Sequence, residues 1–205
     1  MLTCNNITIS YNEKKIFQNF GLTIYPNSLL LIRGANGSGK TSLLKVLAGL
    51  TMPADGEILC ESVNIKYNFL LYKDLINYIG HSNAVKNRLT VIENIEFWAN
   101  LYGHTELILA AINYFQLQDF LDAECEKLSA GYKQRVALCR LIIRPCKIWL
   151  LDEPETNLDQ NGKKLLLNLI SSRVEQGGIV IINTHNNIEL SNILEVNLDD
   201  YKINY

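Results

Sequence analysis

The sequence predicts an α/β fold in which a mostly parallel core sheet is flanked by helices. Short apolar runs typical of buried strands alternate with amphipathic helical stretches, both before residue 60 and after residue 147. A glycine-rich loop joins one of these strands directly to a helix. Between the two regions, about 73–145 has a mostly helical pattern. We therefore expect one domain, 1–205, with a helical subdomain at about 73–145 inserted into the α/β core.

The N-terminal segment shows the alternation of polar and apolar residues that is typical of paired strands. Residues 1–9 and 15–24 both alternate in this way, and the pattern breaks near residue 12. We expect an antiparallel β part here. The next apolar run, Ser28–Ile32, is continuous and ends just before Gly34. Such a run is typical of a strand that is buried on both faces of a sheet.

A helix, a turn and another strand are expected after the glycine-rich loop. Apolar residues recur at helical spacing over 43–47, and Gly49 is placed to end that helix. Turn-forming residues at 53–56 lead into a strand-like segment at 57–60. The remaining core elements are predicted in the order strand, helix and strand, at 147–151, about 161–175 and 178–183.

Composition excludes several classes of protein. The chain is 48% hydrophobic and 20% charged, close to an average soluble protein, and its net charge of −2 gives no support for a nucleic-acid partner. No apolar run approaches the roughly 20 residues that span a bilayer, and the N-terminus lacks the pattern of a signal peptide. The cysteines are odd in number, five, without a C-x-x-C pair, which suits a reducing cytosol. If the protein works at a membrane, another chain must hold it there.

The first chemical motif is a phosphate loop with the spacing G-x-x-x-x-G-K-T/S. It consists of Gly34, Ala35, Asn36, Gly37, Ser38, Gly39, Lys40 and Thr41, and Ser42 follows it. The glycines allow backbone N–H groups to turn towards phosphate oxygens, and the helix that begins near Lys40 adds the positive end of its dipole. Lys40 is expected to reach the β- and γ-phosphates, and the Thr41 hydroxyl to ligate Mg²⁺. The motif therefore predicts a P-loop that binds Mg²⁺ and ATP.

The second motif is a pair of adjacent carboxylates, Asp152 and Glu153, at the end of the predicted strand 147–151. Ligands of α/β sheets lie at the carboxyl ends of the strands. Asp152 is suited to hold Mg²⁺ through water, and Glu153 to polarise the water that attacks the γ-phosphate. On its own the pair is equally typical of a solvated Asp-Glu-Pro turn, and the neighbouring phosphate loop favours the catalytic interpretation.

The third motif, Leu128–Tyr132, precedes a helical run. Ser129 and Gly131 can present a hydroxyl and an amide at the start of that helix, which is a second potential anion site. A Ser-x-Gly helix start is more often an ordinary N-cap. This motif alone is therefore weak.

Five motifs taken in order resemble the nucleotide-binding domains of ABC transporters, and the resemblance covers nearly the whole chain. These motifs are the phosphate loop, 128–132, 150–154, 157–159 and 183–185. The fold that the resemblance implies is that of a P-loop NTPase with an ABC-type nucleotide-binding domain. It also implies that two copies form a homodimer around two ATP molecules.

The resemblance implies a role for several single residues. Ser129 and Gly131 of one subunit would close over the γ-phosphate that the phosphate loop of the other subunit holds. His185 would be the switch histidine that contacts this phosphate, and Asp159 would lie in the loop across the dimer seam. Tyr11 is placed to stack on adenine, although a half-buried tyrosine of a strand is an alternative. A lone histidine such as His185 is also more often structural.

Several stretches are similar to the ATP-binding subunit of bacterial cytochrome c maturation, the haem exporter type. They are Ile79-Gly80-His81, 89–95, 128–131, 135–138 and 175–181. This similarity implies a peripheral subunit on the cytoplasmic side of the bacterial inner membrane. It would bind an integral membrane subunit through the helical segment and drive haem export or haem delivery.

Two positions depart from the family pattern. Ser82 stands where the family has a glutamine that senses Mg²⁺ and the membrane subunit, and Tyr132 replaces the glutamine of the third motif. Serine is too short to reach as glutamine does, and tyrosine adds bulk at the seam. Three functions therefore remain open: an ATPase for cytochrome c assembly, an ATPase for another transported substrate, and a nucleotide-gated interaction protein with weak turnover.

Overall fold

The computed structural model describes residues 1–11, 14–184, 188 and 193–203, and these residues form two β-sheets with helices around them. The strands are β1 (Leu2–Tyr11), β2 (Lys14–Ile24), β3 (Ser28–Arg33), β4 (Asp55–Cys60), β5 (Val63–Asn64), β6 (Ile76–Ile79), β7 (Ile148–Asp152), β8 (Ile179–Asn183) and β9 (Ile193–Asn197). The α-helices are α1 (Lys40–Leu47), α2 (Phe69–Leu75), α3 (Val91–Tyr102), α4 (Ile108–Phe115), α5 (Ala130–Ile143) and α6 (Gln160–Glu175).

The first sheet is antiparallel and has the strand order β2-β1-β4-β5. The alternation in β1 places Leu2, Cys4, Ile7 and Ile9 in the interior. The predicted antiparallel N-terminal part is confirmed, and the strand expected at 57–60 is its third member. This sheet packs over one face of the core sheet.

The second sheet is the core, and every strand pair in it is parallel, in the order β6-β7-β8-β3-β9. Strands β7 and β8 are buried along their full length and β3 along its four central residues, as their continuous apolar runs predict. Ile32 and Asp152 both pair with Asn183. The carboxyl ends of β3, β7 and β8 therefore meet at one edge, which is where a parallel sheet places its ligand site.

The two faces of the core sheet carry separate apolar clusters. Leu29 and Leu31 of β3 belong to the cluster that α3–α6 cover. The intervening Leu30 and Ile32 belong to the cluster that α1 and the antiparallel sheet cover. This division follows from the two-residue repeat of a strand. Strand β3 is therefore packed on both faces, and this packing holds the start of the loop that follows it.

Local signals set the starts of the long helices near the site. Thr90 and Glu93 form a capping box at the start of α3. The Ser129 hydroxyl caps α5, and the Asp159 carboxylate caps α6. Helix α1 ends at Leu47, Ala48 is its C-cap residue, and the next residue, Gly49, has a φ of +67°. The prediction that Gly49 lies at this helix end is confirmed.

Within 73–145, where a mostly helical segment was predicted, four residues form a strand of the core sheet instead. Ile76–Ile79 form the strand β6, which pairs with β7 in the core sheet. The helix before it, α2, begins at Phe69 and so lies partly outside the predicted range. Strand β9 was not predicted. Both strands are short, and their assignment depends on partners far away in the sequence. In the described ranges no helix is long and apolar enough to cross a bilayer.

Candidate nucleotide-binding site

The phosphate loop connects β3 to α1 and adopts backbone conformations that need glycine. The φ angles of Gly34, Gly37 and Gly39 are +140°, +80° and +97°. A Cβ at Gly34 would lie 2.5 Å from Ser38 Oγ, and a Cβ at Gly39 would lie 2.9 Å from the Phe17 ring. Steric exclusion and the left-handed conformation therefore both require glycine at these two positions.

The start of α1 is available to an anion. Gly39 is its N-cap residue and supplies no side-chain hydrogen bond to the first turn. Ala35, Asn36 and Gly37 are exposed, so the outer part of the loop is open to solvent. Uncapped N–H groups at a helix start carry partial positive charge and bind phosphate. The geometry therefore fits the predicted phosphate cradle.

The Lys40 ammonium is folded back over the loop. Its Nζ donates hydrogen bonds to the backbone oxygens of Gly34 at 2.8 Å and Ala35 at 3.1 Å, and the residue is only 6% exposed. These acceptors are neutral carbonyls. A phosphate oxygen is a stronger acceptor for an ammonium group because the hydrogen bond is charge-assisted. Lys40 can therefore exchange these carbonyls for a phosphate.

Asp152 lies at the end of β7 and is 2% exposed. Its Oδ1 accepts hydrogen bonds from Thr41 Oγ1 at 3.1 Å and from Asn183 Nδ2 at 2.7 Å. Its Oδ2 is buried and has no hydrogen-bond partner in the described part of the chain. An unsatisfied buried carboxylate oxygen is costly, and a bound cation would remove that cost. Hydroxyl and carboxylate oxygens are ligands that Mg²⁺ prefers, so these residues fit a magnesium ion.

Glu153 follows β7 directly and has a left-handed backbone, with a φ of +50°. Its N–H donates to the Asn183 carbonyl oxygen at 2.9 Å. Its Oε2 lies 3.9 Å from Nδ1 of His81, and the two pair as ions only when the imidazole is protonated. A non-glycine residue in this conformation is strained, and such strain clusters at functional sites.

A cavity of about 260 Å³ adjoins this junction. It is lined by Thr41, Lys45, Tyr78, Gly80, His81, Ser82, Ala84, Arg140 and Asp152. Burial, and secondarily the Asp152 charge, raises the pKa of Tyr78 to about 12. Tyr78 therefore remains a neutral hydrogen-bond donor. The structure brings Ser82 to the same cavity as the candidate Mg²⁺ ligands.

Ser129 and Gly131 lie at the start of α5. Ser129 Oγ accepts a hydrogen bond from the Tyr132 N–H at 3.3 Å, so the ordinary N-cap that the sequence left open is present. A Cβ at Gly131 would lie 2.7 Å from the Asn157 carbonyl oxygen. Within the described part of the chain these contacts join both residues to their own subunit, and closure over a second phosphate loop stays a prediction.

Asp159 connects α6 to α5. Its Oδ1 accepts from the Gly162 N–H at 2.8 Å and from Arg135 Nη2 at 2.7 Å. Arg135 is 5% exposed, whereas the Asp159 side chain is 65% exposed. The Arg135 guanidinium, followed by the Gly162 amide, holds the pKa of Asp159 below its ordinary value. Helix α5, which begins in the third motif, and the 157–159 segment are therefore tied together within one subunit.

Tyr11 lies at the end of β1 and is 71% exposed. Two residues before it in β1, Ile9 pairs with Phe17 of β2. The ring of Phe17 covers Gly39 of the phosphate loop. The exposed ring favours an available stacking surface over the half-buried alternative, although stacking on adenine stays a prediction. His185 lies outside the described residues.

Two residues that contact the site had no role predicted for them. Asn183 hydrogen-bonds the Asp152 carboxylate, and its place at the end of a predicted core strand was an available signal. Asp199 accepts a hydrogen bond from the Ala35 N–H at 2.8 Å. It follows a strand that was not predicted, so no local signal identified it.

Comparison with known proteins agrees with this arrangement. The family model described as ABC transporter matches residues 17–156. The chain is similar to the cytochrome c biogenesis ATP-binding export protein CcmA of Wolbachia pipientis, with 47% identity over 92% of this chain and 91% of that protein. It is also similar to the protein of the same name from Rickettsia bellii, with 40% identity over 96% of this chain and 100% of that protein.

A solved structure shares the fold along almost the full length. It is described as a putative ABC transporter (ATP-binding protein) from Pyrococcus furiosus. The TM-score is 0.84 at 26% sequence identity, and the alignment covers 98% of this chain and 99% of that one.

Proposed function

The chain belongs to the ABC transporter family, and within it to the cytochrome c biogenesis ATP-binding export proteins, and we propose that it hydrolyses ATP to supply energy to a membrane transport complex. The observation that carries this proposal is the junction between the phosphate loop and β7. Thr41 and Asp152 are hydrogen-bonded there, Lys40 lies over the loop, and Glu153 follows directly.

Each residue has a role in ATP hydrolysis. Backbone N–H groups of the phosphate loop and the start of α1 bind the phosphates, and Lys40 neutralises the charge that develops on the γ-phosphate. Thr41 and Asp152 would hold Mg²⁺, which supplies further charge neutralisation when bound. Glu153 orients a water molecule for in-line attack and polarises its O–H bond. Catalysis by these groups is mainly positioning and electrostatics. His185 would assist as the residue that contacts the γ-phosphate.

The active form is a homodimer. Ser129 is the N-cap residue of α5, and Gly131 lies in the first turn of that helix. The family resemblance supports a role that requires a second copy, in which these residues complete the site around the ATP of the partner. The exposed Tyr11 ring would contact the adenine on the side of its own phosphate loop.

The transport complex serves c-type cytochrome assembly, through haem export or haem delivery. Support comes from the name that both bacterial relatives carry, cytochrome c biogenesis ATP-binding export protein, at identities of 47% and 40% over nearly the whole chain. The protein would lie on the cytoplasmic side of the bacterial inner membrane, bound peripherally to an integral membrane subunit. That subunit would receive the motion when the dimer closes and reopens.

A nucleotide-gated interaction protein with weak turnover is the second candidate. Ser82 lines the cavity beside Thr41 and Asp152, yet its side chain is shorter than the family glutamine. His81 lies 3.9 Å from the catalytic carboxylate of Glu153 and, when protonated, would compete with water for it. Both features would slow hydrolysis without preventing ATP binding.

The deciding experiment measures ATP hydrolysis by the chain alone and by the complex with its membrane subunit. Glu153→Gln serves as the control because it keeps the size of the side chain and removes the base. Turnover that rises in the complex and is lost in the control supports a coupled ATPase. ATP binding without turnover in either state supports the nucleotide-gated protein. Turnover that is equal in wild type and Glu153→Gln would remove Glu153 from its role.

A further inference from the structure

The phosphate loop has a second anchor, which comes from the C-terminal part of the chain. Strand β9 pairs with β3 in parallel register, with Arg33 opposite Asn197. The chain then forms a single 3₁₀ turn, Leu198–Tyr201. Asp199 in this turn accepts a hydrogen bond from the Ala35 N–H at 2.8 Å, across 164 residues of sequence. A carboxylate therefore contacts the loop at its first peptide after Gly34.

Two contacts hold Asp199 itself in place. Its N–H donates to Asn197 Oδ1 at 3.1 Å, and its Oδ1 forms an ion pair with the Lys202 ammonium. The Lys202 ammonium and, after it, the Ala35 amide keep the pKa of Asp199 below its ordinary value. The carboxylate is therefore ionised at neutral pH and already oriented. Lys202 balances its charge, which limits repulsion of an incoming phosphate.

The 3₁₀ turn is fixed by packing as well. Leu198 is fully buried, and the Tyr201 ring packs edge-on against Phe20 of β2 at a centroid distance of 5.1 Å. Lys202 also forms an isolated bridge with Phe17, the residue whose ring covers Gly39. The anchor and the far end of the phosphate loop are thus attached to the same strand, β2.

The two sides of Ala35 have different partners. Its N–H is bound by Asp199, whereas its carbonyl oxygen accepts from the Ser38 N–H and from Lys40 Nζ, each at 3.1 Å. ATP would draw Lys40 away from that carbonyl. The Asp199 contact lies on the opposite side of the residue and can persist. It is therefore available to hold the entry of the loop when Lys40 changes partner.

We infer that Asp199 is a positioning residue that preorganises the phosphate loop for nucleotide through the Ala35 amide. This inference rests on the proposed function in assigning ATP as the ligand. Loss of the contact would lower the fraction of chains whose loop is ready to bind, and the apparent Kd rises as that fraction falls. The bound state would be unchanged, because the proposed roles toward the γ-phosphate and the attacking water belong to Lys40 and Glu153.

The test compares Asp199→Ala, Asp199→Asn and the neighbouring exposed Asp200→Ala. Asp199→Ala should weaken ATP binding about tenfold, as expected for loss of a hydrogen bond to a charged group. The kcat of the variant at saturating ATP should stay within about twofold of wild type. Asp199→Asn keeps an acceptor oxygen and should recover most of the affinity, and Asp200→Ala should bind as wild type does.

Amide hydrogen exchange in the nucleotide-free protein tests the anchor independently of ATP. Exchange at Ala35 should speed up in Asp199→Ala and not in Asp200→Ala. Unchanged exchange at Ala35 would overturn the inference even if the protein binds ATP well. An Asp199→Asn variant as weak as Asp199→Ala, or an equal loss in Asp200→Ala, would also overturn it, since the effect would then be general charge or local unfolding. If exchange responds as expected and wild type binds no ATP, the anchor stands and the proposed function fails.

Discussion

The Thr41 hydroxyl donates a hydrogen bond to Oδ1 of Asp152 at 3.1 Å, although the two residues are 111 positions apart. The other carboxylate oxygen, Oδ2, is buried and has no hydrogen-bond partner among the described residues. One residue comes from the first turn of α1 and the other from the end of β7. The sheet therefore assembles the two proposed Mg²⁺ ligands before any ion binds.

The replacement Asp152→Asn should separate the stability of the site from its function. An uncharged amide at this buried position removes a desolvated charge, so without Mg²⁺ the melting temperature should be unchanged or higher. The dependence of ATP binding on Mg²⁺ should be lost, and hydrolysis should fall at least about 100-fold. Thermal melts in EDTA and nucleotide titrations with and without Mg²⁺ check both parts. A lower melting temperature together with normal Mg²⁺ dependence would contradict this assignment.

The replacement Lys40→Ala should weaken ATP binding by roughly 10- to 100-fold, because a charge-assisted hydrogen bond contributes about 1.5–3 kcal/mol. The fold should persist, since the hydrogen bonds that Lys40 forms within the described ranges go to neutral loop carbonyls. Isothermal titration with ATP measures the affinity, and the exposed Lys66→Ala is the matched control. An affinity equal to wild type would show that Lys40 does not contact phosphate.

The replacement Gly131→Ala should destabilise the protein by about 1–3 kcal/mol, the usual cost of overpacking. Its new Cβ would lie 2.7 Å from the carbonyl oxygen of Asn157, and backbone atoms cannot move aside as a flexible side chain can. Gly21→Ala is the matched control, because its Cβ would meet its nearest atom at 3.8 Å. Urea unfolding of the three proteins measures the difference. Equal stability of the two variants would contradict the prediction, because it would mean that the backbone at Asn157 moves away from the new Cβ at little cost.

Asp159 should add an acid-sensitive contribution to stability. Its folded-state pKa is lowered, first by Arg135 and then by the Gly162 amide. A carboxylate of this kind stabilises the fold above the ordinary aspartate pKa of about 3.9, and that contribution is lost as the pH falls through the lower folded value. The difference in unfolding free energy between wild type and Asp159→Asn should therefore be constant from about pH 7 to 5 and shrink below about pH 4.

Urea unfolding at a series of pH values checks this prediction, with Asp200→Asn as the control. Since the Asp159 side chain is 65% exposed, the difference should be small and should decrease in high salt. A difference that grows as the pH falls would contradict the assigned sign.

The parts of the fold that local patterns determine could be predicted from the sequence. The continuous apolar runs of β3, β7 and β8 identify buried parallel strands, and functional residues follow directly where β3 and β7 end. The phosphate loop, Asp152 and Glu153 could therefore be placed together before the structure was known. Family resemblance supplied the roles of the remaining site residues.

The parts that distant contacts determine could not be predicted. The four residues of β6 become a strand because β7 offers a free edge, and the same residues continue a helical pattern in the sequence. Strand β9 depends in the same way on β3. The partners of Asp199 and Arg135 lie across such contacts, so no spacing rule indicates them. The sequence was compatible with two roles for Ser129, a helix N-cap and part of an anion site. In the single chain Ser129 caps α5.

The pairing of β9 beside β3 affects how the protein matures during synthesis. On the ribosome, the segment that carries the phosphate loop emerges long before residues 193–202. Until those residues arrive, the side of β3 that later pairs with β9 is an unpaired sheet edge. Such edges pair with other chains. The Ala35 amide also lacks its carboxylate until then. A nascent chain should therefore bind nucleotide more weakly until β9 docks against β3 and brings Asp199 to the loop.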